Sequence, residues 1–455
     1  MGIRSTNITR SFSSDFYRSG TDAAINPAVQ NYWYALLNGT SNNSEVGYGI
    51  DTDSSDDVYV TGLSASTDGN GQDFLVAKYN PSGVLQWQRT IGGTSSDSGW
   101  GIAVDSSDNF YVSGQTSSSG AGNIDVLLIK YNASGTVLWQ RTLGHANNDR
   151  AKSVAVDSLD NVYVTGDTTV TGNTEIFIAK YNSSGSIIWQ RTLGGTDGSG
   201  NNNTFPHEIA IDGSDNVYVF GYTNVFGGSG NEDFLVAKYN SAGVLQWQRI
   251  LGDTDQDEAY GGAVDSSGNA YICGYKSSGS TNGMIVAKYD TSGNIRWQRE
   301  LATTNKSTLG YAVTVDDSGN VYAGGHTEAA PSYTNHGFLI AKYNTSGEIQ
   351  WQRTFGSNTF ERLEAITTDK FGNIYATGLS NSGDNAVLVL KLPADGSLTN
   401  TYGSFVYEAS TLGESASTLT DSVSTLTDAV STLTDAASSF THSVNYLTSS
   451  TTSIG

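Results

Sequence analysis

Residues 103–114 read A-V-D-S-S-D-N-F-Y-V-S-G, residues 126–135 read V-L-L-I-K-Y-N-A-S-G, and residues 139–144 read W-Q-R-T-L-G. The chain repeats this group of three phrases seven times with small variations. The Asp of the first phrase recurs every 51 to 55 residues, at Asp53, Asp105, Asp157, Asp212, Asp265, Asp316 and Asp369. A period of this length is typical of proteins built from stacked, repeated units.

Each repeat predicts four short β-strands. β-branched and aromatic residues run for about five positions, as in residues 109–114 and 126–131, and Gly, Asn or Ser then ends the run. Turn-forming sequences such as D-S-S-D-N and Y-N-x-S-G separate the strands as hairpins do. One such meander cannot bury both of its faces, so the repeats must pack face to face around an axis. The sequence therefore predicts an all-β fold, a seven-bladed β-propeller of four-stranded blades.

The tryptophan of the W-Q-R phrase indicates how the ring closes. It ends the first six repeats, at Trp87, Trp139, Trp189, Trp247, Trp297 and Trp351. The seventh repeat lacks this residue, but Trp33 lies in a similar phrase ahead of the first repeat. We therefore predict that a strand around Trp33 completes the last blade, and that these seven tryptophans close the blades. Trp100 lies outside this register and receives no role in the repeat.

The three phrases together resemble the SBBP repeats, which form seven-bladed β-propellers in bacterial surface proteins and in some bacteriophage virion proteins. The resemblance covers about residues 30–402. It implies a rigid scaffold with loops on two faces. Because one fold serves many functions, the functional site must be argued separately.

The chain divides into three parts: a docking arm at residues 1–28, the propeller at 29–403 and a Ser/Thr-rich tail at 404–455. The arm is basic and aromatic in an otherwise acidic protein, and we expect it to dock on a larger assembly; a flexible lead-in is the alternative. The residues expected to make the contact are Arg4, Arg10, Phe12, Phe16 and Arg18.

Apolar residues in the tail alternate at spacings of four and three, which is a heptad pattern and predicts an α-helical, coiled-coil-like segment. Self-association, with a trimer favoured over a dimer, would cover the apolar seam. The alternatives are a tail packed on another protein or back on the propeller, and a disordered tail. The residues assigned to oligomerisation are Leu412, Leu419, Val423, Leu426, Val430, Leu433, Phe440, Val444 and Leu447.

Composition excludes several partners. The formal net charge of −22 repels nucleic acids and anionic membranes, so we expect no nucleic-acid partner. No run of 18 apolar residues exists for membrane insertion, and the N-terminus lacks a secretory signal pattern. Cys273 is the single cysteine, which leaves no internal disulfide.

The sequence predicts no catalytic, metal or cofactor site. The five histidines form no metal-binding pair, and no nucleotide-binding loop or nucleophile elbow is present. The Asp-rich turns suggest calcium only weakly, because they lack the terminal Glu of a calcium loop. Lys and Arg residues that recur in every blade are interpreted as scaffold. A site is expected where the repetition stops: the arm, the tail and the irregular segments 192–206, 226–233 and 326–337.

These observations favour a non-enzymatic structural or binding protein of a virus particle, such as a phage tail fibre, spike or surface decoration. It would bind other virion proteins through the arm or the tail, and a host surface glycan or protein through the propeller. The alternative is a bacterial surface adhesin or carbohydrate-binding propeller at the cell surface. A propeller enzyme was set aside because no convergent carboxylate, His or Tyr residues were found around the channel.

Overall fold

A computed structural model describes most of the chain. The described residues are 9–10, 32–38, 45–65, 71–170, 172–195, 202–225, 231–328, 336–381, 385–402, 404–410, 412–416, 420–423, 427–430, 434–437, 441–444 and 448–454. Within these ranges the regular structure is entirely β-strand, arranged in seven sheets. The predicted all-β propeller of seven four-stranded blades is confirmed. No helix that could cross a lipid bilayer occurs in the described part of the chain.

Each blade is an antiparallel meander whose first strand lies next to the first strands of its two neighbours, around a central channel. From blade one to blade seven, the first strands are Val46–Thr52, Asp97–Val104, Asp149–Val156, Thr204–Ile211, Asp257–Val264, Thr308–Val315 and Glu361–Thr368. The second strands are Val58–Ala65, Phe110–Thr116, Val162–Val170, Val217–Thr223, Ala270–Ser278, Val321–Thr327 and Ile374–Ser380. The third strands are Gln72–Tyr79, Asp125–Tyr131, Asn173–Tyr181, Asp233–Tyr239, Thr281–Tyr289, Gly337–Tyr343 and Ala386–Leu392.

The fourth strands show how the ring closes. In blades one to six they are Leu85–Gly92, Val137–Gly144, Ile187–Gly194, Leu245–Gly252, Ile295–Ala302 and Ile349–Gly356. In blade seven this place is taken by Tyr32–Asn38, which pairs antiparallel with Ala386–Leu392. The N-terminal strand around Trp33 thus completes the last blade, and both ends of the repeat region share one sheet.

The tail adds one further strand to the outer edge of every blade, always antiparallel to the fourth strand. It visits the blades in reverse order, beginning at blade six and ending, after blade one, at blade seven. In that order the strands are Phe405–Ala409, Gly413–Ala416, Thr420–Val423, Thr427–Val430, Thr434–Ala437, Thr441–Val444 and Thr448–Ile454. Two short strands extend the edges further: Asn400–Tyr402 in blade six and Thr9–Arg10 in blade seven. We call residues 404–454 the belt.

The described residues of the belt therefore differ from the helix that the heptad pattern predicted. Ala416, opposite Arg299, and Val423, opposite Arg249, are seven positions apart, and the same step continues to Val430 opposite Arg191. These described strands have four residues each and begin seven positions apart. A seven-residue repeat fits one edge strand per blade as well as it fits two turns of an α-helix. The spacing alone therefore does not distinguish edge strands from a coiled-coil helix.

Contacts between blades recur around the ring. In blade two the Trp139 indole donates to the carbonyl of Ser183 in blade three at 3.0 Å. Trp139 also covers Gly185, whose φ of 79° is unfavourable for other residues, and a Cβ there would lie 2.8 Å from the indole. The Trp33 indole makes the equivalent bond from blade seven to Pro81 of blade one, also at 3.0 Å. The seven tryptophans of the repeat therefore lie between blades.

The repeated Asp is equally structural. In blade three, Asp157 accepts hydrogen bonds from the backbone amides of Leu159 and Asn161, at 3.0 and 2.8 Å. Its second oxygen accepts from the Tyr163 hydroxyl and pairs with Lys180, both at 3.1 Å. These bonds occupy both carboxylate oxygens within the blade, which leaves them poorly placed to coordinate calcium.

Candidate ligand site in the central channel

The first strand of every blade carries a β-bulge that faces the channel. At the third or fourth position of the strand the pairing register shifts by one residue, so that one residue per blade has no partner on the second strand. These seven residues are Tyr48, Trp100, Lys152, His207, Tyr260, Tyr311 and Glu364. A bulge redirects its side chain, and here all seven are partly exposed and line one cavity. We call them the channel ring.

The channel ring breaks the symmetry of the propeller. Each member lies five residues before the repeated Asp of its own blade, yet its side chain is aromatic, cationic, acidic or an imidazole depending on the blade. The cavity has a volume of about 730 Å³. Its other walls carry aliphatic residues of the same strands, including Ile50, Ile102 and Val154. We call the part of the cavity that the polar and aromatic channel ring lines the channel mouth.

Blades one to three place an aromatic stack beside a lysine. The rings of Tyr48 and Trp100 are 4.3 Å apart at an interplanar angle of 16°, and the Lys152 ammonium lies 4.2 Å from the centroid of a Trp100 ring. Burial lowers the pKa of Lys152 because the charged form loses water. Burial also raises the pKa of Tyr48 to about 12, so its hydroxyl stays protonated at neutral pH.

Blades four to seven continue the ring with contacts between aromatic and charged groups. His207 and Tyr260 meet edge to face at 4.5 Å, and Tyr260 lies 5.1 Å from Tyr311. The Arg362 guanidinium, near the mouth, lies 5.8 Å from the Tyr311 ring and donates to Glu364 at 2.5 Å. Offset aromatic pairs and a cation above a ring are both favourable, which fixes the side chains in these positions.

Two further acids are unique to their blades. Glu208 stands where the equivalent position of other blades has Gly, Ala or Ser, and it accepts hydrogen bonds from the Ser153 hydroxyl and from the Ile209 amide. Burial raises the pKa of Glu208 to about 7. Asp51 lies deeper and accepts from the amides of Thr52 and Val104, at 2.8 and 2.9 Å. Burial raises the pKa of Asp51 to about 6.

The imidazole and phenol groups of the ring are poor proton carriers near neutral pH. Burial lowers the pKa of His207 to about 3, with the nearby Lys152 contributing in the same direction. Burial raises the pKa of Tyr260 well above its usual range, and its bond to Glu258 adds to the effect. Burial likewise raises the pKa of Glu364 to about 7, against the stabilising charge of Arg362. The ring therefore offers neutral hydrogen-bonding groups, aromatic faces and a few charges.

The structure does not gather the residues predicted as sites into one place. Leu412 is buried in the propeller core near Trp297, and Val423, Val430 and Val444 lie in belt strands paired with fourth strands. Arg10 lies in the short strand beside the end of the belt. The other predicted arm and tail residues lie outside the described residues: Arg4, Phe12, Phe16, Arg18, Leu419, Leu426, Leu433, Phe440 and Leu447.

Sequence reasoning missed the channel ring. The statement that no convergent His, Tyr or carboxylate surrounds the channel is wrong, because His207, Tyr260 and Glu364 do so. Of the irregular segments proposed for binding, residues 196–201, 226–230 and 329–335 lie outside the described ranges. The sequence does contain a signal for these residues. When the repeats are aligned on their Asp, the residue five positions before it differs from blade to blade. Among the described residues no group of His, Cys, Asp or Glu could hold a metal ion.

Comparisons with known proteins agree with the fold. The family model of the SBBP beta-propeller repeat matches residues 138–172, 188–227 and 296–331. A catalytically inactive virginiamycin B lyase from Staphylococcus aureus, solved with quinupristin, is 12% identical over 80% of this chain and 100% of that chain, with a TM-score of 0.50. The polysaccharide lyase Uly1 is 8% identical over 77% of this chain and 90% of that chain, also with a TM-score of 0.50. Likeness at such low identity concerns the fold alone.

No curated protein sequence matches the chain. The matched stretches lie in blades two to six, and the same phrases recur in the remaining blades. The seven blades of the structure supply the architecture that such repeats form. The chain thus contains stretches that match the SBBP beta-propeller repeat, and its described residues form a seven-bladed β-propeller.

Proposed function

We propose that the protein is a non-enzymatic binding protein that holds a saccharide at the mouth of its central channel. The observation that carries this proposal is the channel ring, where one bulged position per blade presents a varied side chain to one cavity. Pockets with aromatic walls and a few placed polar groups are the usual form of small-molecule sites. Positions that are the same in every blade are interpreted as scaffold, as the bonds of the repeated Asp157 illustrate.

A saccharide fits the chemistry of the ring. Sugar rings present C–H faces that pack on aromatic side chains, and the Tyr48–Trp100 stack offers such a surface. Sugar hydroxyl groups both donate and accept hydrogen bonds, and the neutral His207 and the phenol of Tyr311 can satisfy them. A purely apolar ligand would leave these polar groups without partners.

Binding is favoured over acid–base catalysis. A general acid or base works best when its pKa lies near the working pH. The pKa of His207, at about 3, makes it a weak base. Glu208 and Glu364, each with a pKa of about 7, meet this criterion, but both are engaged by residues of the wall: the Ser153 hydroxyl donates to Glu208, and Arg362 donates to Glu364. We therefore propose binding, and the release of shortened glycan in the test below would identify catalysis.

A glycan array probed with wild type and with Trp100→Ala tests the proposal. We expect wild type to bind a set of glycans and Trp100→Ala to lose at least about tenfold in affinity, as for the loss of a stacking contact. Arg296→Gln, at an exposed outer position, is the control and should bind as wild type does. Binding that is unchanged in Trp100→Ala would contradict the proposal, and release of shortened glycan would identify an enzyme instead.

We propose further that the propeller displays this site on a virus particle, with a bacterial cell surface as the alternative. The resemblance to repeats of virion and surface proteins supports this placement. Antibodies against the propeller, tested on purified particles and on intact cells of the source, distinguish the two. Labelling of neither would reject display in both forms.

We also propose that the protein forms a homo-oligomer through its tail, but by exchange of belt strands between copies and not by a coiled coil. The belt strands pair with outer blade edges, so exchange of belts between copies would join them without a helical seam. Light scattering on the full chain and on a chain ending at residue 412 tests this. An oligomer that persists in the chain ending at residue 412 would show that the removed belt strands do not join the copies.

A further inference from the structure

Lys152 differs from two arginines of the first strands, Arg362 in the channel and Arg150 two residues before it, because it forms no ion pair or hydrogen bond within the described residues. Arg362 near the mouth pairs with Glu364, and Arg150 pairs with Asp167 at 3.1 Å. The Lys152 ammonium instead lies over the Trp100 ring, 4.2 Å from its centroid. A partly buried ammonium group has three donors to satisfy, so this position calls for an acceptor.

We propose that Lys152 binds the carboxylate of an acidic sugar, such as a uronic acid, in the channel mouth. This inference rests on the proposed saccharide-binding function and specifies the class of saccharide. It also assigns Lys152 as the residue that determines specificity for charge.

A second donor lies beside Lys152. The indole Nε1 of Trp100 is buried and has no hydrogen-bond partner in the described part of the structure. Buried polar atoms in folded proteins normally have partners, so an unpaired one next to an open cavity indicates a missing ligand acceptor. Lys152 and Trp100 belong to adjacent blades, which places both donors on the same side of the channel.

The charge balance favours a single carboxylate. Of the two cations in the described cavity lining, Arg362 is paired with Glu364, whereas Lys152 forms no ion pair. A carboxylate carries one negative charge, whereas a phosphate monoester carries nearly two. The remainder of the protein, with a net charge of −22, repels more highly charged ligands. Burial lowers the pKa of Lys152, and an adjacent carboxylate would remove part of that penalty.

Matched ligands test the inference. The probes are neutral oligosaccharides that carry one terminal galacturonate or glucuronate residue, each compared by calorimetry at low ionic strength with its carboxyl-reduced, neutral form. Wild type should bind at least one acidic form about tenfold more tightly than its neutral form, as for one charge-assisted hydrogen bond. Lys152→Met should lose this preference, so that it binds the acidic and the neutral forms with similar affinity. Lys152→Arg keeps the charge and should retain most of the preference.

Arg296→Gln is the control, because it also removes one positive charge but from an exposed outer position. It should leave the preference unchanged. If wild type binds the neutral forms as well as the acidic ones, or Lys152→Met keeps the preference, the inference is wrong while the proposed function stands. If neither these probes nor any glycan on the array binds, the proposed function itself fails.

Discussion

Two positions of the repeat, five residues apart, behave in opposite ways. The repeated Asp is the same in all seven blades and bonds its own turn, a tyrosine or a lysine, as Asp157 does. The residue five places earlier is Lys152 in that blade, and it changes around the ring. We infer that the constant position stabilises each blade, whereas the variable position determines which ligand the channel binds.

The largest expected effect on stability comes from replacing tryptophan by alanine at a repeated position, Trp33, and at a variable position, Trp100. Trp33→Ala should lower the free energy of unfolding by about 4 kcal/mol, because it leaves a cavity in the buried blade-seven interface and removes the bond to Pro81. Trp100→Ala should cost about 1 kcal/mol, the value of its aromatic contacts. Urea denaturation measures both, and equal losses would remove the distinction.

Two lysines allow the same comparison of stability with a smaller expected effect: Lys130 at a repeated position and Lys152 at a variable position. Lys130 is buried and pairs with Asp105 at 3.0 Å, so Lys130→Met should cost about 3 kcal/mol by leaving a buried carboxylate without its cation. Lys152→Met, in the channel, should change stability by less than about 1 kcal/mol, since it breaks only a contact with a ring. If the two variants unfold at the same urea concentration, the scaffold role of the repeated lysine is wrong.

Removal of the belt tests the outermost layer of the scaffold. In a chain ending at residue 412, backbone amides of the fourth strands, such as Ile187–Gly194, should exchange with deuterium about tenfold faster, because their outer edge loses its partner. Blade six keeps Phe405–Ala409, so Ile349–Gly356 serves as an internal control and should stay protected. Unchanged exchange at Ile187–Gly194 would show that the belt strands do not pair there.

The smallest effect is a pH dependence at Glu208. Its pKa is raised to about 7 in the folded protein from an ordinary value of 4.5, so the folded state holds the proton more tightly than the unfolded state. The stability that this proton gives is complete below pH 4.5 and is lost as the pH rises through 7. Relative to wild type, Glu208→Gln should therefore gain about 2 kcal/mol in the free energy of unfolding between pH 5 and pH 8, measured by thermal unfolding at each pH.

Glu348→Gln provides the control for this pH series, because the Glu348 side chain is exposed and bonds only Asn344 in the described structure. Its difference from wild type should stay nearly constant with pH. A constant difference for Glu208→Gln as well would mean that the Glu208 carboxyl group is not desolvated between blades three and four.

The fold followed from the sequence because its signals are local and repeated seven times. Turn residues mark each hairpin, and Trp33 stands in a fourth-strand phrase, which was enough to place the N-terminal strand in blade seven. The belt strands were not predicted, because a seven-residue step fits two helical turns as well as one strand per blade. Which blade edge each described strand pairs with depends on the assembled ring. The coiled coil stays a prediction for the rest of the tail.

The channel ring could be found only in part. Alignment of the repeats identifies the variable position, but a β-bulge that turns Lys152 or Glu364 into the channel depends on pairing between strands. The contact between Lys152 and Trp100 joins two blades, and the pKa of Glu208 depends on burial between blades. Residue spacing in the sequence does not predict which residues of neighbouring blades come into contact or how deeply a side chain is buried between them.

The intrinsic fluorescence of the protein tests the central claim most directly. Seven of the eight tryptophans lie between blades, and Trp100 alone lines the described channel. A glycan selected from the array should change the fluorescence of wild type in a saturable way, and Trp100→Phe should show no change although calorimetry still detects binding. A fluorescence change that persists in Trp100→Phe would place the ligand at the repeated tryptophans and contradict the assignment of function to the channel ring.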